Sequence, residues 1–176
     1  MDMSLRALVA FAGLMAGTAQ AYDAHDAHVH GLAALDLAIK GKQLSVHLDS
    51  PLANFIGFEH PPGTDAERQL VVDADARLRD GARLFVASAA ARCTLTAVSV
   101  HTPLAAWAHE APRQGGAHVD AEADYVFTCA RPARLREVMV RLFEHFPGFA
   151  RIDVRWVGPS AQGSARLTPA NPRVHW

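Results

Sequence analysis

Ten histidines stand in this chain of 176 residues, and their spacing is the first chemical signal. His25-Asp26-Ala27-His28-Val29-His30-Gly31 sets two imidazoles two residues apart. On a β-strand, residues i and i+2 project from one face, so His28 and His30 can reach one metal ion. Neutral imidazole is a good zinc ligand. The competing reading is a solvated segment whose histidines do nothing. His118-Val119-Asp120 has similar form, with a carboxylate in the second position. It supplies complementary ligands if the two segments meet. Phe-Glu-His occurs twice, as Phe58-Glu59-His60 and Phe143-Glu144-His145. His60 lies in a turn stiffened by Pro61 and Pro62, which can present a ligand. His145 falls at the end of an expected helix, where an imidazole can instead meet exposed carbonyls and the negative end of the dipole. Glu59 and Glu144 suit the task of orienting an imidazole N–H, or are plain surface charges. His47 sits on the polar face of a strand and reads as solvent-exposed. His101 and His109 lie in or beside a loop, and His175 belongs to the tail.

Catalysis finds little support. There is no Gly-x-Ser-x-Gly elbow, phosphate-binding glycine loop or catalytic cysteine pattern. The expectation is a binding protein, not an enzyme. Seventeen Lys and Arg against eighteen Asp and Glu leave a net charge of −1. Neither nucleic acid nor an anionic membrane surface is then an obvious partner.

Arg6 precedes an apolar run, Ala7 to Ala16, and Thr18-Ala19-Gln20-Ala21 has the small-x-small form that a signal peptidase reads. The run is shorter than the about 20 residues needed to span a bilayer. Residues 1–21 are therefore expected to be a signal peptide, and 22–176 a single exported domain in the periplasm, large enough for a real core. A retained anchor or a buried helix is the alternative. In an oxidising compartment Cys93 and Cys129 read first as a disulfide. Closing a loop of about 36 residues would stabilise the fold by roughly 3–4 kcal/mol. A pair of soft metal ligands competes, without the usual close spacing.

The elements that must position these groups follow from periodicity. Leu35, Leu37 and Ile39, then Leu44, Val46 and Leu48, alternate with polar residues on either side of Gly41, which predicts a β-hairpin. Ser50-Pro51 reads as an N-cap and first helical residue for a short helix, Leu52 to Ile56, ending at Gly57. Thr64-Asp65-Ala66-Glu67 has capping-box form and opens a helix with Leu70, Val71, Ala74 and Leu78 inward, closed by Gly81. Strands are expected at 84–88, 93–100, 125–129, around Ile152, Val154 and Trp156, and at 165–168. Pro132 reads as the start of a helix burying Leu135, Val138, Met139, Leu142 and Phe146. The tail from Pro169 has no periodicity. In both Leu44 to Pro51 and Tyr125 to Pro132 an alternating strand runs into a proline, and Phe-Glu-His follows each. The expected fold is α+β, with two similar hairpin-and-helix halves related by pseudo-two-fold symmetry.

Several segments together resemble the ZrgA-type periplasmic zinc-uptake proteins. They are His28 to Ala33, Ser50-Pro51-Leu52-Ala53-Asn54-Phe55-Ile56-Gly57-Phe58-Glu59-His60, Ala91-Arg92-Cys93, and His118 followed by Tyr125 to Cys129. The likeness spans nearly all of residues 22–176. It implies a periplasmic protein that binds zinc and assists its acquisition beside a zinc ABC importer. Carried over by position, His28, His30, His60 and His118 are the favoured ligands, with His145 and Asp120 next. Members of this family often carry a long His/Asp-rich insert; here residues 101–117 hold only His101 and His109, which argues against a high-capacity gathering role. A periplasmic interaction module without metal, and a copper or nickel protein, are the rivals. Three of the four methionines lie in the signal region, which gives copper(I) no support.

Overall fold

The computed structural model describes residues 29–109 and 119–176. Over these residues the fold is α+β, with nine strands in two sheets. Strands β1 (Leu32–Lys40) and β2 (Gln43–Pro51) form the expected hairpin, with Leu35, Leu37, Leu44, Val46 and Leu48 turned into the core. Strand β4 (Cys93–His101), β5 (Asp120–Cys129), β7 (Arg151–Val157) and β8 (Gln162–Leu167) complete a six-stranded sheet in the order β4-β5-β2-β1-β7-β8. All neighbours are antiparallel except β1 and β7. A smaller sheet joins β3 (Phe85–Ala87), β6 (Glu137–Val140) and β9 (Arg173–His175), with β6 in the centre.

Helix α2 (Asp65–Arg79) forms as expected. The Thr64 side chain accepts from the Glu67 N–H, and Glu67 accepts from the Thr64 N–H. Val71, Ala74 and Leu78 are buried, but Leu70 is 49% exposed and lies off the inward stripe. Asp80, not Gly81, caps the helix, and Gly81 opens the short α3 (Gly81–Leu84). Glycine is needed there because a Cβ would run into the Tyr125 ring. That ring is buried, and its hydroxyl donates to Leu78 O at 2.7 Å. Burial pushes the Tyr125 phenol well above its ordinary pKa. Helix α4 spans Leu104–His109.

Cys93 and Cys129 face each other across β4 and β5 and are joined as a disulfide. Neither cysteine is therefore available to a metal.

Several further expectations are corrected. Ser50 does not cap a helix; β2 runs on through Pro51, and α1 (Ala53–Ile56) starts after Leu52 with no side-chain cap. The helix expected after Pro132 is a 3-10 turn (Pro132–Arg134), then strand β6, then the four-residue α5 (Leu142–His145). Val138 and Val140 alternate inward with period two and pair with β3 and β9, so tertiary pairing overrides a fortuitous helical spacing. The patternless tail supplies β9, and Trp176 packs against Trp156 at 5.9 Å between rings. The two halves consequently diverge after their prolines: α1 follows β2, whereas a turn and a strand follow β5. Among the described residues pseudo-two-fold symmetry is not seen.

One feature of the large sheet positions the candidate site. Leu32 pairs with Arg151, Pro51 with Asp120, and His101 with Glu122, so β1, β5 and β7 begin where β2 and β4 end. His30 just before β1, Val119 just before β5, and the loop after α1 all lie at this end.

Candidate metal centre

The chain enters β1 through a turn in which the Leu32 N–H donates to Val29 O at 3.0 Å. Gly31 sits at φ +88° within it, a conformation glycine adopts without cost. Strand alternation therefore begins at Leu32 and does not reach back to His30, which the turn presents instead. His30 Nε2 lies 3.2 Å from Glu59 Oε1. The imidazole is 64% exposed while the carboxylate is only 15% exposed, so the glutamate is the fixed partner. An ionised carboxylate can only accept, so Nε2–H donates to it, and in the neutral ring Nδ1 keeps its lone pair.

Glu59 reaches this point because Gly57, at φ +86°, ends α1 and turns the chain. His60 follows with Nδ1 3.0 Å from Pro61 O. A carbonyl also only accepts, so Nδ1–H donates to it, and in the neutral ring Nε2 holds the lone pair. The ring stacks on Phe58 with centroids 4.8 Å apart, which restrains it at the surface. Just beyond, the Gly63 and Thr64 amides hold the Glu67 carboxyl below the usual range, aided by His60. Both imidazoles thus have one nitrogen occupied by an acceptor and the other with a lone pair, the arrangement that metal-ligating histidines use.

Two residues never emphasised by periodicity support this corner. Ser50 and Asn54 are 1% and 2% exposed and are the buried polar side chains among the described residues. Asn54 Oδ1 accepts from the Gly31 N–H at 2.6 Å, and its Nδ2 donates to Leu32 O at 2.8 Å and Ser50 Oγ at 2.9 Å. A polar residue in a short apolar helix next to a proline was the available signal. At β5, Asp120 pairs with Pro51, and Val119 O accepts from the Leu52 N–H at 2.8 Å. His28 and His118, each two residues ahead of these points, lie outside the described residues. Among the described residues no three His, Cys, Asp or Glu side chains are arranged to hold a metal ion.

His145 lies elsewhere. It lines a cavity of about 190 Å³ with Arg77, Asp80, Arg83 and Leu84, and its Nε2 is buried without a hydrogen-bond partner. Glu144 beside it is bound by Arg141 at 2.7 Å, which keeps its carboxyl below the usual range. Three other histidines make side-chain pairs. His47 Nδ1 meets Asp124 Oδ1 across β2 and β5 at 2.8 Å, His101 Nε2 meets Ser99 Oγ at 2.9 Å, and His175 meets Glu137 at 3.2 Å. The His47 pair could be found only once the register of β2 against β5 is known.

The model of the ZrgA family zinc uptake protein matches residues 27–176. The chain belongs to this family. Comparison with curated proteins finds no match. The matched span includes His28, His30, Glu59, His60, His118 and Asp120. ZrgA membership gives the chain a role in zinc acquisition, with the divalent cation as its cargo. The donors at the β1 end suit that cargo in kind, since imidazole nitrogen and carboxylate oxygen are both ordinary zinc ligands. No described helix of this ZrgA-family chain is long and apolar enough to cross a membrane.

Proposed function

We propose that the protein captures zinc in the periplasm at the β1/β5 end of its large sheet and passes it towards a zinc ABC importer or that importer's binding protein. His30 and His60 are the first ligands, through Nδ1 and Nε2 respectively. His28 and His118 complete the set, with Asp120 as a further oxygen donor. His28 is two residues from His30, and His118 is two residues from Asp120, about 7 Å of chain in each case. Glu59 orients the His30 ring. The role is carriage, and no chemical step is asked of the site. His145 takes no part, because it faces α2 and α3.

The observation that carries this reading is the contact between His30 Nε2 and Glu59 Oε1. It links the His-x-His-Gly segment to the Gly-Phe-Glu-His loop, 29 residues apart in the chain. Without it the two motifs would be separate surface features. A site built from neutral imidazoles at an exposed edge also suits a carrier, which must release what it binds.

Calorimetric titration of zinc into residues 22–176 tests the proposal. The combined His30→Ala and His60→Ala variant should bind zinc at least about tenfold more weakly, with its melting temperature in the absence of metal unchanged. Unchanged affinity in that variant would rule the site out.

A further inference from the structure

Gly31, the residue that directly follows His30, is fixed on both sides of its backbone. Its N–H donates to Asn54 Oδ1 at 2.6 Å. Its carbonyl accepts from the Ala150 and Arg151 N–H groups at 2.8 and 2.9 Å. Asn54 then binds Leu32 O, so it holds the chain on either side of the Gly31–Leu32 peptide. Its remaining amide proton goes to Ser50 Oγ, which itself donates to Pro51 O at 3.2 Å. Gly148 presses against the backbone of Asn54 so closely that any Cβ there would overlap Asn54 O. The side-chain amide is therefore tied to β2 through Ser50 and to the start of β1 through Gly31 and Leu32, while the loop before β7 packs against the Asn54 backbone.

This network is unusual for its place. Leu52, Ala53, Phe55 and Ile56 around it are apolar and buried, and Phe55 packs edge-on against Phe146 and Phe149 at 5.0 Å. A buried amide costs free energy unless its hydrogen bonds are made, and here its bonds are spent on the backbone beside His30. An apolar residue of similar size would fill the space but leave the Gly31 N–H and Leu32 carbonyl without these partners. The same short helix carries the chain, through Gly57, to Glu59. One buried side chain thus joins the turn that presents His30 to the element that presents its carboxylate.

We infer that Asn54 is a positioning residue for cation binding: its side chain fixes the His30–Gly31 turn against α1 and so sets the His30–Glu59 geometry before any metal arrives. It touches no cation itself. The inference rests on the proposed zinc site, and its test is chosen to fail separately from that reading.

The test compares Asn54→Ala, Asn54→Asp, His30→Ala and Val174→Ala in residues 22–176. Each is titrated with zinc, and the visible absorption of the cobalt(II) form reports ligand geometry. Asn54→Asp keeps the acceptor for Gly31 and the side-chain size but loses the donors to Leu32 and Ser50. Its added charge would by itself favour a cation, so a loss of affinity reports geometry. Val174→Ala, in β9 of the other sheet, controls for lowered stability. Both Asn54 variants should bind zinc about 10- to 100-fold more weakly and alter the cobalt spectrum, the range expected when a group supporting a ligand is removed. Val174→Ala should lower the melting temperature with zinc affinity and spectrum intact. Wild-type affinity and spectrum in both Asn54 variants, with His30→Ala impaired, would overturn the positioning role and leave the site standing. Unchanged binding in His30→Ala would overturn the site and the positioning role together.

Discussion

Phe58-Glu59-His60 and Phe143-Glu144-His145 are one tripeptide in two settings. The first follows α1 through a left-handed glycine, and its carboxylate meets an imidazole from 29 residues away. The second is part of α5, and its carboxylate meets Arg141, three residues earlier. A guanidinium is always charged, and Arg141 directs both Nε and Nη2 at Glu144 Oε2. An imidazole partner leaves a second ring nitrogen for something else. The histidines differ in the same way. His60 is exposed and bound to its own turn, whereas the Nε2 of His145 is enclosed among two arginines, Asp80 and Leu84. Two cationic neighbours make a poor setting for a divalent cation. Identical residues therefore carry different chemistry because of what the surrounding chain supplies.

Acidification should separate the two settings most. Free imidazole titrates near about 6.5, so between pH 7 and 5 zinc must compete with protons at every ligating histidine. With two or more such ligands, affinity should fall on the order of 1,000-fold, as calorimetry at the two pH values would read. Next in size is the paired substitution. Replacing Glu59 and His60 together by alanine should weaken zinc binding on the order of 100-fold, and replacing Glu144 and His145 should leave it intact. Equal losses in the two pairs would erase the distinction. A smaller effect is expected from Glu59→Gln, which keeps the shape but not the charge: about a tenfold loss, against none for Glu144→Gln. The smallest concerns folding. Arg141 depresses the Glu144 pKa, so the contribution of that ion pair is present above the unfolded-state value of about 4.3 and is lost as pH falls through the lower folded-state value. Glu144→Gln should accordingly lower the metal-free melting temperature by the same small amount at pH 7 and at pH 5, and the gap to the parent should narrow only below pH about 4.

Much of the fold was legible where local rules and tertiary pairing agree. The β1–β2 hairpin shows itself by alternation on both sides of Gly41, α2 by its capping box, and the Cys93–Cys129 bridge by an even count. Where the two disagree, the local pattern misleads. Leu135, Val138, Met139, Leu142 and Phe146 fall at helical spacing, yet Val138 and Val140 are also alternate residues of a strand between two partners. A four-residue strand carries too few residues for its period to outweigh the other. Strand β9 has three, and nothing in Arg173-Val174-His175 announces it. The candidate site divides similarly. Its motifs could be named from spacing, and Glu59 could be named as an orienting carboxylate. That His30 is its partner depends on where β1 begins, and the place of Asn54 depends on which backbone groups lie unpaired beside α1. Neither follows from a sequence without the register of β1, β2, β5 and β7.

The most direct measurement is anomalous diffraction at the zinc edge from crystals of the zinc-loaded protein. The account predicts one principal peak at the β1/β5 end of the large sheet, within coordination distance of His30 Nδ1 and His60 Nε2. A peak beside His145, or on the open sheet face beside His47 and Asp124 with none near His30, would contradict it.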